Sequence, residues 1–211
     1  MNTLPFGRKA KIIGTVAVVF SALYLLSDVV ELVQGGFSDG QLVLTLVAEA
    51  AVPIFVLGLA LAQRSRIGRF GGWSAVAYAY TYVYFTGTVV YALVHGTSDY
   101  ATLSRDLGPA MIVHGAVMVI AGIGFGLAVR RARLLPAWTG SCLMAGVVLV
   151  AATQAAPEAV QLVAAGVRDL AFVGMGLALM RNAPRSSRSS RTGSSGVSTK
   201  VREQATLTST R

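Results

Sequence analysis

Apolar residues fall into six long runs separated by short polar segments. The runs cover about Lys11–Val33, Gln41–Gln63, Gly72–His95, Gly108–Val129, Trp138–Gln154 and Ala159–Met180. Most reach the roughly 20 residues that a helix needs to cross a bilayer. The fifth is the shortest, and Pro157 with Glu158 separates it from the sixth. The pattern predicts an all-α, polytopic membrane protein with a six-helix transmembrane bundle over residues 1–180. Three of the runs end alike, at Gly58-Leu-Ala-Leu-Ala-Gln-Arg64, Gly126-Leu-Ala-Val-Arg130 and Gly176-Leu-Ala-Leu-Met-Arg181. This weak repeat is consistent with three helical hairpins, although many inner-leaflet helix ends look similar. Residues 181–211, rich in Ser, Arg and Thr, predict a disordered basic tail facing anionic lipid.

Composition supports a membrane location. Hydrophobic residues make up 54% of the chain and charged ones 13%, too few charges to cover a soluble domain of this length. The net charge of +9 does not point to nucleic acid, because the cations sit in small groups beside apolar runs. Arg8, Lys9 and Lys11 stand at the start of the chain; Arg64, Arg66 and Arg69 follow the second run; Arg130, Arg131 and Arg133 follow the fourth. The tail is basic as well. The other connections carry mainly acids, including Asp39, Asp99 and Glu158. By the positive-inside rule both termini are expected in the cytoplasm. Arg in place of Lys, with abundant Ala, Gly and Val, suggests a G+C-rich bacterial genome, hence a multi-pass protein of the bacterial plasma membrane. The first run is longer than a signal-peptide core and is followed by acids rather than a small-residue cleavage site.

Of nine Asp and Glu residues, five lie inside or at the ends of apolar runs: Asp28, Glu31, Glu49, Glu158 and Asp169. A carboxylate inside a membrane helix is costly and is a candidate functional group by default. With a rise of about 1.5 Å per residue, Glu49 lies about 12 Å, Asp169 about 15 Å and His114 about 9 Å from the outer ends of their runs. Asp28 and Glu31 share one face near the outer end of the first run. These groups are expected to converge inside the bundle. Arg168 does not automatically face Asp169, since adjacent helical residues point about 100° apart; Glu49, Glu31 and Asp28 are its expected partners. The plainer reading is that such charges only pin helices together. Acids outnumber the one arginine, however, and a carboxyl left without a cation in a low dielectric is a proton donor.

The third run is aromatic, and Tyr80, Tyr84 and Tyr91 share a face by spacing. Their rings could stabilise a cation, or simply pack. His114 alone reads first as a packing residue. No P-loop, HExxH, CxxC or nucleophile elbow is present. Two separated histidines and the single Cys142 make poor metal ligands, so neither metal nor cofactor is expected.

The six-span layout, with Glu49 in Leu46-Val-Ala-Glu-Ala-Ala51, Asp169 in Val167-Arg-Asp-Leu170 and an aromatic helix between them, resembles the small membrane-bound terpene cyclases of meroterpenoid and indole-terpenoid biosynthesis. The resemblance covers about Lys11 to Met180 and is one of layout. It implies a cyclase in which buried acids, Asp169 and Glu49, protonate an alkene or epoxide of a prenyl chain. Tyr80, Tyr84, His114, Arg168, Asp28 and Glu31 would then line the substrate. The implied partners are a lipophilic prenylated small molecule and membrane lipid, with no nucleic acid. A small proton-coupled transporter, or an accessory membrane protein without catalytic activity, is the alternative. The lack of Pro or Gly breaks beside Glu49 and Asp169 weakly opposes a transporter with broken helices.

Overall fold

The computed structural model describes residues 7–182; the expectation for the tail lies outside the described residues. The described chain is all helical, with seven helices: α1 (Gly7–Gln34), α2 (Asp39–Ala62), α3 (Gly68–His95), α4 (Tyr100–Leu107), α5 (Pro109–Ala132), α6 (Ala137–Ala152) and α7 (Glu158–Asn182). Four of them, α1, α2, α5 and α7, are long and apolar enough to cross a membrane. The other two expected spans are weaker. α6 has only 16 residues, and α3, though 28 residues long, is diluted in hydropathy by its tyrosines, threonines and glycines. α4 occupies what reads in the sequence as a loop.

Local chemistry explains the helix ends. Ser38 caps α2, its hydroxyl accepting from the Gln41 amide at 3.3 Å and satisfying a donor that no helical carbonyl can reach. Asp99 caps α4 in the same way, accepting from the Thr102 amide at 2.8 Å. Hydrogen bonds from the Ser98 hydroxyl and the Thr102 amide hold the Asp99 carboxyl below its ordinary value. Gly96 and Gly108 flank α4 with φ of 61° and 57°, a left-handed backbone that glycine adopts without a Cβ clash. α2 runs without interruption through Pro53. Proline has no N–H, so the carbonyl of Glu49, four residues earlier, lacks its usual helical donor.

The six long helices close into a ring in the order α1, α2, α3, α5, α6, α7 and back to α1, each packed on two neighbours. Neighbours are antiparallel. Residues near the start of α1 meet residues near the end of α7, with the Thr15 hydroxyl 3.3 Å from Met180 Sδ. The two ends of the described chain therefore share one end of the ring, and α4 lies at the other.

Small residues set the closest approaches. A Cβ on Gly14 would come within 2.6 Å of the Gly176 carbonyl oxygen, and one on Gly176 equally near that of Gly14. Gly126 and Gly140 stand in the same relation between α5 and α6, and Gly58 faces Ile13 of α1. All three glycines of the repeated Gly-Leu-Ala ends thus occupy helix crossings. That is where a membrane bundle, lacking a hydrophobic drive between helices, depends on close packing.

The half of the ring nearer the termini is solid. Phe55, Tyr78, Phe125, Leu143, Phe172 and Met175 are fully buried there, with Phe55 edge-on to Phe172 at 5.1 Å between centroids. The half nearer α4 is hollow, and a smaller cluster of Leu42, Val89, Ala92 and Leu103 fastens α4 across that end.

Gly146 is a crossing with little tolerance, because a Cβ there would lie 2.6 Å from both Cα and N of Arg168, backbone atoms that cannot step aside. Gly146→Val should destabilise the bundle by about 1–3 kcal/mol, the usual cost of overpacking. Gly87→Ala, where nothing lies within 4 Å of the new carbon, should leave stability unchanged or slightly raised. Thermal unfolding in detergent checks the pair.

Candidate functional site

The hollow half encloses a cavity of about 870 Å³, within the range of small-molecule sites. Its wall is mostly apolar and aromatic, including Phe37, Phe85, Met118 and Val147, with a few polar groups.

Those groups are placed by two polar stripes. On α1, Tyr24, Asp28 and Glu31 are spaced by four and three, so they lie on one face. On α2, Gln41, Thr45 and Glu49 are spaced by four. The two stripes meet along the α1–α2 contact. Gln41, only 3% exposed, donates from its amide to Glu31 Oε2 at 3.1 Å, Ser27 Oγ at 3.2 Å and Thr45 Oγ1 at 3.0 Å. Its own Oε1 is buried and receives no hydrogen bond.

Deeper in, the Tyr24 hydroxyl donates to Glu49 Oε1 at 2.5 Å. Glu49 is 5% exposed, and its Oε2 is buried without a partner. The Arg168 guanidinium lies over the Tyr24 ring, Cζ 4.6 Å from the centroid, a cation–π geometry. Arg168 Nε donates to Asp169 Oδ1 at 3.0 Å. The two side chains are 5% and 4% exposed, and Asp169 Oδ2 is buried and unpaired. Tyr82 closes the same end, its hydroxyl 3.4 Å from that of Tyr78. Tyr24 is thus the joint of the floor: its oxygen engages the acid and its ring carries the arginine. Gly146 lets α6 seat directly on the Arg168 backbone.

No family model, curated protein or solved structure matches the chain. The site must speak for itself.

Five of the residues singled out in the sequence line the cavity: Asp28, Glu31, Glu49, Glu158 and Arg168. Asp169 does not. It sits behind Arg168, so the expected shared lining by Asp169 and Glu49 is not formed. Arg168 takes its sequence neighbour as partner rather than Glu49, Glu31 or Asp28. Its long side chain folds back across the 100° between the two positions, and one oxygen of Glu49 already accepts from Tyr24.

Tyr80, Tyr84 and His114 do come together, but outside the cavity. Tyr84 stacks on His114 at 3.6 Å with ring planes 3° apart, and Tyr80 Oη is 3.2 Å from His114 Nε2. His114 Nδ1 lies 2.8 Å from the Ala110 carbonyl, so Nδ1 carries the hydrogen and Nε2 accepts from Tyr80. Tyr80 is 56% exposed. This trio faces outward in the groove between α3 and α5. The expected convergence of Glu49, His114 and Asp169 therefore fails at His114. Its polar atoms are satisfied locally, which removes the cost that would otherwise force it inward. Among the described residues no group of three His, Cys, Asp or Glu side chains could hold a metal ion.

Tyr24, Gln41 and Tyr82 were not anticipated. The four-residue spacings of Tyr24 to Asp28 and of Gln41 through Thr45 to Glu49 were the available signals.

Tyr24→Phe should leave the buried Glu49 carboxyl without a partner at either oxygen and destabilise the protein by about 1–3 kcal/mol. In a double-mutant cycle with Glu49→Leu the two changes should be strongly non-additive, coupled by about 0.5–3 kcal/mol. Additive losses would mean that the hydrogen bond does not form.

Proposed function

We propose that this chain is an integral membrane terpene cyclase that protonates and cyclises a prenyl chain within its ring of helices. One observation carries the proposal. A carboxyl, Glu49, is held by a tyrosine at the closed end of a large and mostly apolar cavity.

The chemistry follows from that placement. Alkenes and epoxides are weak bases, so protonating them requires an acid kept in its neutral form and away from water. Glu49 supplies the proton from Oε2, the oxygen that the Tyr24 hydroxyl, donating to Oε1, leaves free. Protonation of an epoxide oxygen breaks its C–O bond, and the electron-poor carbon is attacked by the π electrons of a neighbouring alkene. A ring C–C bond forms and the cation moves one alkene along. Loss of a proton from carbon ends the sequence and restores the acid, so the reaction is a net isomerisation. Aromatic faces in the wall, Tyr82 and Phe85 among them, suit a passing cation. Asp169 acts here by holding Arg168, which in turn braces Tyr24.

The packed half beneath the cavity favours a dead-end enzyme pocket over the transport path of a proton-coupled carrier. All six long helices are proposed to cross the plasma membrane of a bacterium, α3 and α6 relying on their neighbours in the ring. Both ends of the chain are proposed to lie in the cytoplasm, since the basic segments cluster at the end away from α4. Reporter fusions after Arg66, Arg133 and Met180 should read as cytoplasmic, and one at Asp99 as external. An external signal at Arg133 would overturn this arrangement.

Glu49→Gln keeps size and hydrogen bonding but removes the acidic proton. It should cut product formation by about 10²- to 10⁴-fold while leaving membrane expression intact. Tyr80→Leu, on the outward face, should have little effect. Expression with linear prenylated arenes, before and after epoxidation, followed by mass spectrometry, decides. Full activity in Glu49→Gln would remove the mechanism.

A further inference from the structure

We propose that the mouth of the cavity binds the cationic head of a lipophilic amine, so that a prenyl ligand enters chain-first and leaves its head at the rim. This rests on the prenyl-accepting reading of the same cavity and adds to it the charge of the head and the direction of entry.

The lining is electrically lopsided. It carries four carboxyls, Asp28, Glu31, Glu49 and Glu158, and among the described residues its sole cation is Arg168. That cation is at the closed end, bonded to Asp169 and stacked on Tyr24. The one charged hydrogen-bond donor of the lining is therefore at the floor, where an epoxide or carbonyl oxygen at the far end of a chain would arrive. The mouth has the opposite character. Glu31 stands near the end of α1 and Glu158 opens α7, both bordering the cavity with no basic side chain beside them in its wall.

A second, independent observation points the same way. The Gln41 amide nitrogen already serves three oxygens, those of Glu31, Ser27 and Thr45, while its Oε1 is buried without a donor. The network behind the mouth is short of donors and rich in acceptors. A ligand bringing N–H groups supplies what it lacks. A diphosphate or carboxylate would bring negative charge and further acceptors to a rim that holds Asp28, Glu31 and Glu158 and no cation, whereas an ammonium supplies the cation beside which such a carboxyl ionises. An ammonium would meet carboxylates and the rings of Phe37 and Tyr100, which border the same opening and favour a cation over their faces.

The test is equilibrium binding of radiolabelled geranylgeranylamine, geranylgeraniol and geranylgeranyl diphosphate to the full chain. The protein is held in nanodiscs of zwitterionic lipid at neutral pH, and binding to empty nanodiscs is subtracted. The amine should bind saturably and about tenfold tighter than the alcohol, with the diphosphate weakest. In Glu31→Gln the preference for amine over alcohol should fall toward one, and in Glu158→Gln it should fall in part. Glu158 lies on the exposed rim, so its variant carries the test if Glu31→Gln does not elute as a single folded species. Alcohol binding as tight as the amine, diphosphate binding tightest, or a preference unchanged in both variants would overturn the proposal while leaving the prenyl reading intact. Failure of all three compounds to bind saturably would overturn both.

Discussion

An arginine in the middle of a helix bundle has to be neutralised where it stands, and much of the structure is arranged around that requirement. Arg168 is 4% exposed, far too deep for water to solvate it, and an unpaired buried charge would cost several kcal/mol. Its neighbour Asp169 supplies the counter-charge, and the face of Tyr24 takes up part of the remaining field. The Asp169 pair lies within α7, whereas the other contacts tie that helix to its neighbours. Tyr24 fixes the rotation of α1, and Gly146 lets α6 approach until it touches the arginine backbone. Tyr24 then passes the constraint to α2 through Glu49. Four of the six ring helices are registered against one guanidinium.

This arrangement separates the two halves of the ring. Below the polar floor the interior is filled with large apolar side chains at close quarters, as protein interiors ordinarily are. Above it α1 and α2 are joined by their polar stripes, α4 is fastened across the end, and a cavity remains between the helices. The floor is thus both a structural joint and the place where the cavity has an acid. Those roles are compatible, because a carboxyl with the proposed role of proton donor benefits from a rigid, dry setting.

The sequence made the helices legible and their rotation only partly so. Runs of apolar residues locate each long helix to within a few positions, because length and hydropathy are local properties. The eight-residue α4 was missed, since its amphipathic pattern is too short to stand out and its cap, Asp99, reads equally as a loop acid. That Glu49 and Asp28 fall in the half of the ring away from the chain's ends follows from their positions along the runs. The face was harder. Tyr78 and Tyr82 are as regularly spaced as Tyr80 and Tyr84, and two residues on a helix separate the pairs by about 200°. Only packing shows that the first pair points inward and the second outward with His114. The same ambiguity hid Asp169, whose neighbour Arg168 faces the cavity in its place. Pro53, four residues beyond Glu49, marks in the sequence a backbone carbonyl without its helical donor.

The central claim is that the hollow half of the ring, and not the outward aromatic trio, is the ligand site. It is tested most directly by photoaffinity mapping with a prenyl chain that carries a diazirine at its tail. The account predicts adducts at cavity residues such as Tyr24, Met118 and Val147, suppressed by excess unlabelled chain. Adducts confined to Tyr80, Tyr84 and His114, or scattered over the outward faces of the helices and insensitive to competitor, would contradict it.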